Sequence, residues 1–261
     1  MVLVNCFSTL GCPQRTLRQS IELAQAHDIP MVEVRTLSGS NDLTQNLASE
    51  FGQPADLTAC LGDADIKVPV MGSSHRLFDE TFDFAPLQNL AQWADAAGVR
   101  FLRVFDGKGE TLDSEMLDLA QARFEHWEAL RAAQGIKAQL LIETHGVLCA
   151  NQALEAFCNR LRDAPILWDT HHTWAAGNAL AQTREIIGAR LAHLHVKDSL
   201  LRAGKRQYVL PGTGSFPAAD LARVLTEFPP VSAAVSLEWE KHWHPEIPDL
   251  ESALTYAKPW L

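Results

Sequence analysis

The sequence predicts a closed (β/α)8 TIM barrel, a single domain over residues 1–261. Three observations carry this. The length of 261 residues falls near the roughly 250 of such barrels. Short apolar, β-branched runs recur about every 25–40 residues, eight in all, as βα units require. Amphipathic stretches of helical period fill the gaps between them. The rival is an open, doubly wound sheet, which usually binds a nucleotide at a glycine-rich first turn. That turn here reads Ser8-Thr9-Leu10-Gly11-Cys12-Pro13, without G-x-G-x-x-G, and no phosphate-loop motif occurs in the chain.

In order, the first strand is predicted over Val2–Phe7. Pro13 suits the first turn of a helix over Gln14–His27, where Leu17, Ile21 and Ala24 share one face. The second strand is Met31–Arg35, and Asn41–Asp65 holds one or two short helices. Strand three, Lys67–Gly72, precedes a helix over Leu87–Ala97, and strand four, Arg100–Phe105, precedes Ser114–Ala133. Strand five, Lys137–Thr144, leads to Gln152–Arg162, and strand six, Ile166–Asp169, to Ala179–Ala189. Strand seven, Leu191–Lys197, leads to Ala218–Phe228, and strand eight, Val231–Trp239, to Leu250–Ala257. The charged segment Ser199–Tyr208 reads as a flap.

Lys plus Arg is 22 and Asp plus Glu is 32, a net charge of −10. Phosphate-backbone binding needs clustered Lys and Arg, so no nucleic-acid partner is expected. No apolar run is long enough to span a bilayer, so no membrane partner is expected. The N-terminus reads Met1-Val2-Leu3-Val4-Asn5-Cys6, without a signal-peptide pattern. The five scattered cysteines include no Cys-x-x-Cys pair. Free thiols in a reducing compartment follow, and a cytoplasmic location is the expectation. A homo-oligomer is left open.

The placement of polar residues is the most informative feature. Barrel active sites lie at the C-terminal strand ends. Strand five ends Ile142-Glu143-Thr144-His145, strand six ends in Asp169 before Thr170-His171-His172, strand seven reads His193-Leu194-His195-Val196-Lys197-Asp198, and strand eight ends Leu237-Glu238-Trp239-Glu240. Strand alternation turns Glu143, Asp169, His195 and Glu238 inward, while Ile142, Leu194, Val196 and Leu237 face the helices. Three carboxylates and an imidazole around one mouth repel each other unless a cation holds them. One divalent ion (Mn, Mg, Co or Zn) resolves the conflict. The centre stays net negative and favours a neutral polyol or ketose over free phosphate. Lys197, His145 and His75 are candidate substrate contacts. Glu33 reads as a structural or pocket acid. Arg202, Lys205 and Arg206, beside Gly212 and Gly214, form either a hold for an anionic tail or a solvated loop. Trp239, His242, Trp243 and His244 form either a wall for a sugar ring or plain rim packing.

At these residues the chain resembles the sugar phosphate isomerase/epimerase superfamily, the xylose isomerase-like barrels that include D-tagatose 3-epimerase, inosose dehydratase and endonuclease IV. The resemblance rests on Ile142-Glu143-Thr144-His145, Asp169-Thr170-His171-His172, His195-Val196-Lys197-Asp198, Leu237-Glu238-Trp239-Glu240 and the turn Leu210-Pro211-Gly212-Thr213-Gly214. It implies Glu143, Asp169, His195 and Glu238 as metal ligands and His172 as a contact either to the substrate or to one of those ligands. It implies Glu143 and Glu238 as acid/base groups on opposite faces of the substrate. The trinuclear zinc site of endonuclease IV needs further histidines that strand four and the loop after strand seven do not carry.

The implied function is a metal-dependent isomerase or epimerase of a ketose or sugar derivative, working through an enediolate. The alternative is a lyase that dehydrates a keto-polyol such as a keto-inositol. A non-catalytic sugar-binding barrel and an abasic-site endonuclease rank below both.

Overall fold

The computed structural model describes residues 3–107, 109, 111–258 and 260. Eight parallel strands form the barrel: β1 Leu3–Ser8, β2 Met31–Glu33, β3 Val70–Arg76, β4 Phe101–Phe105, β5 Gln139–Glu143, β6 Ile166–Asp169, β7 Leu191–Val196 and β10 Ala233–Leu237. Their spatial order is β2-β1-β10-β7-β6-β5-β4-β3. The isolated parallel bridges Met31↔Lys67 and Val34↔Met71 then join β2 to β3. An antiparallel hairpin, β8 Asp198–Arg202 and β9 Lys205–Val209, rises between β7 and β10. Its turn places Ala203 and Gly204 at φ 47° and 75°, the left-handed pair that a two-residue hairpin demands.

The helices are α1 Leu17–Ala26, α2 Leu43–Phe51, α3 Pro54–Ala64, α4 Ala85–Ala96, α5 Ser114–Gln134, α6 Asn151–Arg160, α7 Thr170–Ala175, α8 Leu180–Ile187, α9 Ala218–Glu227 and α10 Leu250–Ala257. None among the described residues is long and apolar enough to cross a membrane.

Strand alternation sorts the apolar residues into two zones. Leu102, Ile142, Trp168, Leu194 and Leu237 pack outward against the helices. Val70, Phe101, Leu141 and Leu167 form a separate plug inside the barrel. Two residues beyond that plug, the same strands present Arg103, Glu143 and Asp169, all buried. The apolar plug is therefore the floor on which the polar mouth is built.

Several boundaries differ from expectation. Val2 lies outside the described residues. The first helix starts at Leu17, because Thr16 and Gln19 form a reciprocal capping box, and Pro13 sits in the preceding turn. β2 stops at Glu33, since the Arg35 and Thr36 amides donate to Thr9 Oγ1 at 2.9 and 3.1 Å rather than to a ladder. β3 is displaced forward and carries His75 within it. The helix α7 was not anticipated; the Asp169 carboxylate caps it by accepting the His172 amide at 2.8 Å. The flap segment is the β8–β9 hairpin.

Candidate active site

The chain brings one ligand atom each from Glu143, Asp169, His195 and Glu238 within 4.8 Å of one another, all four residues buried. Each comes from a strand end. Glu143 closes β5, Asp169 closes β6, His195 is the penultimate residue of β7, and Glu238 follows β10. Register aligns Asp169 with His195, and His195 with Ser236.

Glu33 settles how His195 is used. Its carboxylate accepts from His195 Nε2 at 2.9 and 3.0 Å and from His193 Nε2 at 3.0 Å. A carboxylate at these distances fixes the proton on each Nε2. His195 Nδ1 is then the atom facing the quartet, 3.3 Å from Glu238, 3.7 Å from Glu143 and 4.0 Å from Asp169. Burial opposes charge on this ring, but Glu238 and Glu33 raise its pKa well above the usual value. Burial also works against Glu33 ionising, and the two histidines override it and lower its pKa.

Two permanent cations touch the acids. Arg103 Nε stands 3.1 Å from Glu143 Oε2. Burial would raise the Glu143 pKa, yet Arg103 brings it down to about 2. Lys197, fully buried, contacts Asp169 and Glu240 at 2.7 Å each, and also Glu238. Those three acids hold its pKa well above normal against the cost of burial. Asp169 is nevertheless raised to about 6, because burial outweighs the pull of Lys197.

These residues fit a divalent cation. Glu33, Glu143, Asp169, Glu238 and Glu240 outnumber Lys197, Arg103 and Arg35, leaving the cluster with an excess of acid. His195 Nδ1 and both oxygens of Glu143 are buried without a hydrogen-bond partner. Buried polar atoms are seldom left so unless something else occupies them.

The remaining predicted contacts divide. His172 joins the cluster, with Nδ1 3.1 Å from Asp169 and Nε2 3.9 Å from Glu240. Burial, aided by Lys197, drops its pKa to about 3, so the ring is neutral at pH 7. His145 packs edge-on to His172 at 4.9 Å and lies 4.6 Å from the Phe105 ring. His75 bonds the Asp83 carbonyl at 2.9 Å and lies 5.3 Å from the Phe82 ring, and its contacts among the described residues do not include the quartet.

Of the two readings of the flap, the glycine amides do not support the anion hold. Asp198 already accepts the amides of Gly212 and Gly214 at 2.9 and 2.8 Å, together with those of Ser199 and Phe216. Those glycine amides are committed to a resident carboxylate. Arg206 instead lies over the Trp174 ring at 4.5 Å. Trp239 is buried and donates to the Pro248 carbonyl at 2.8 Å, which makes it packing, while Trp243 is exposed.

Sequence reasoning gave Arg103, Arg35 and Glu240 no role. Arg103 had a signal: an arginine at an inward position within the apolar run Phe101-Leu102-Arg103-Val104-Phe105. Glu240 follows Glu238 at the strand spacing and closes the Lys197 contact set.

Curated protein sequences yield no match. Among solved structures, the IolI protein with a bound zinc atom superposes with a TM-score of 0.75 at 14% identity, covering 99% of this chain and 96% of the other. The probable 3-DHS dehydratase AsbF of petrobactin synthesis from Bacillus anthracis gives 0.75 at 16%, covering 98% of each chain. The 3-keto-D-glucoside 4-epimerase YcjR from E. coli gives 0.71 at 13%, covering 98% and 96%. At these identities the likeness is one of fold. A sequence-family model described as xylose isomerase-like TIM barrel matches residues 21–260. The chain therefore belongs to the xylose isomerase-like TIM barrel family.

Proposed function

We propose that this chain is a divalent-metal-dependent isomerase or epimerase of a ketose or sugar derivative. One observation carries the reading: Glu143, Asp169, His195 and Glu238 converge within 4.8 Å at the barrel mouth. His195 Nδ1 and the three carboxylates would hold the ion. When bound, the ion acts as a Lewis acid that eases loss of a proton beside a carbonyl.

The chain supplies the rest. Glu143 and Glu238 are both held ionised, Glu143 by Arg103 and Glu238 by His195 and Lys197, so each can accept a proton at neutral pH. They belong to strands on different sides of β6 and β7 in the sheet order, which suits one to remove a proton and the other to return it. Lys197 fixes the rotamers of Asp169 and Glu238. The neutral His172 can donate to or accept from a substrate hydroxyl. Return of the proton to the opposite face gives an epimer, and return to the neighbouring carbon gives an isomer. The second reading is dehydration by loss of a β-hydroxyl. It is favoured by Lys197, a cationic N–H donor inside the cluster that could hydrogen-bond a departing hydroxyl.

The test is proton exchange in D2O with Mn2+ and a panel of ketoses and keto-inositols, followed by NMR. Deuterium should enter the carbon beside the carbonyl with wild type and fail to enter with Glu143→Gln or Glu238→Gln. Wild-type exchange in either variant would overturn the assignment. An absorbing enone or dione product would transfer the conclusion to the lyase.

A further inference from the structure

Arg35 is at odds with its surroundings. Its residue is 3% exposed, yet among the described residues no carboxylate lies within the 4.0 Å of an ion pair. Nη2 donates to the Ser74 hydroxyl at 3.1 Å, and Nη1 is buried with no partner at all. Other buried arginines are provided for. Arg123 donates to the carbonyls of Leu77 and Glu80, and Arg184 to those of Phe228 and Gly188. Arg103 donates to the Ser73 carbonyl at 2.9 Å and faces Glu143. A buried charge without a counter-charge is costly and is normally paired.

The surroundings sharpen the anomaly. The Arg35 and Arg103 guanidinium carbons sit 5.8 and 3.9 Å from the centre of the same Phe105 ring, and that ring also meets His145. Gly72 makes this arrangement fit: a Cβ there would come 2.8 Å from Arg35 Cδ and 3.0 Å from Arg103 Nη2. Burial, then Arg103, bring the Arg35 pKa down to about 9 against the opposing pull of Glu143, Glu238 and Glu33 from beyond ion-pair distance, so the group stays cationic at neutral pH. The fold thus crowds a second cation beside the first, at the metal-quartet end of the barrel, and puts only a neutral hydroxyl in direct contact with it, the acids acting from farther away.

We infer that Arg35, with Ser74, is the binding site for a carboxylate carried by the substrate. On the function proposed above, the substrate class narrows from neutral ketoses to polyhydroxy keto acids. A planar guanidinium fork matches two coplanar oxygens. A phosphate dianion would call for more donors than Arg35 and Ser74 offer, and the Gly212 and Gly214 amides are taken by Asp198. The carboxylate would neutralise Arg35, and the adjoining polyol would reach the quartet.

The experiment compares three ligands on one carbon skeleton: gluconate, glucitol and glucitol 6-phosphate. Each is titrated calorimetrically into the Mn2+-loaded protein and, in parallel, into protein in EDTA. Gluconate should bind at least about tenfold more tightly than glucitol. Arg35→Gln should abolish that preference while circular dichroism and Mn2+ affinity stay at wild-type values. Arg35→Lys, which keeps the charge and loses the fork, should fall between the two and serves if Arg35→Gln does not fold. Equal affinity for gluconate and glucitol, no binding of gluconate, a preference that survives Arg35→Gln, or binding of glucitol 6-phosphate as tight as gluconate would each overturn the assignment. Failure of the metal reading looks different: no Mn2+ would bind, while the acid preference would persist in EDTA.

Discussion

Replacing Lys197 by Met tests the electrostatic account of the mouth most directly. Methionine keeps most of the aliphatic stem and removes the charge. The ammonium it deletes touches Asp169, Glu238 and Glu240, and its residue is fully buried. Breaking a buried ion pair from one side costs about 3–5 kcal/mol, because the other side is left uncompensated. For a chain of 261 residues the unfolding entropy of about 2.1 cal/mol/K per residue turns this into a fall in Tm of about 5–9 °C. The assay is differential scanning calorimetry in EDTA at pH 7. The loss should shrink on acidification. Asp169 has a folded pKa of about 6, raised by burial above its usual value. Such a group is more stable in the fold below its unfolded pKa, and that stability is lost as pH rises through 6. A Tm loss below about 2 °C at pH 7, or one that grows as pH falls from 7 to 5, would refute the reasoning.

Three further expectations follow from the same geometry. Glu33→Gln removes the negative charge that braces both His193 and His195, so Mn2+ affinity measured by calorimetry should fall about 10–100-fold with the fold intact. Asp198→Ala strips the acceptor from four backbone amides and should cost more than about 3 kcal/mol in urea unfolding, with faster hydrogen exchange in residues 199–216. Burial raises the Asp106 pKa to about 6 even though it accepts the Gly107, Gly146 and Leu148 amides. Wild-type stability should accordingly gain less between pH 4 and 6 than that of Asp106→Asn, a difference that denaturant titrations at each pH would show.

The barrel was legible because its outward residues are apolar and its helices carry a helical stripe. The quartet was legible because period-two alternation turns Glu143, Asp169, His195 and Glu238 to one face. Hydropathy misplaced β3 because Gly72-Ser73-Ser74-His75 is polar while it runs alongside β4, past a register shift between Gly72 and Arg76. Pattern reading follows burial rather than pairing. The helix α7 escaped because six residues show no stripe, and its signal was only the capping Asp169. Charge hid the hairpin: Arg202, Lys205 and Arg206 suggested a loop, although Ala203-Gly204 is a sound hairpin turn. Arg35 had no readable role, because an unmatched charge is visible only when its neighbours are known.

The closure between β2 and β3 has a dynamic consequence. β4 and β5 share five aligned residue pairs, whereas β2 and β3 are tied by two isolated bridges. Sub-global opening starts where backbone pairing is sparse, so this seam should breathe more readily than the β4–β5 side of the barrel. Glu33 and Arg35 stand beside it. A transient parting there would slacken the brace on the His195 ring and free the Arg35 side chain together, so the proposed ion site and the proposed ligand site would loosen through one weak stave.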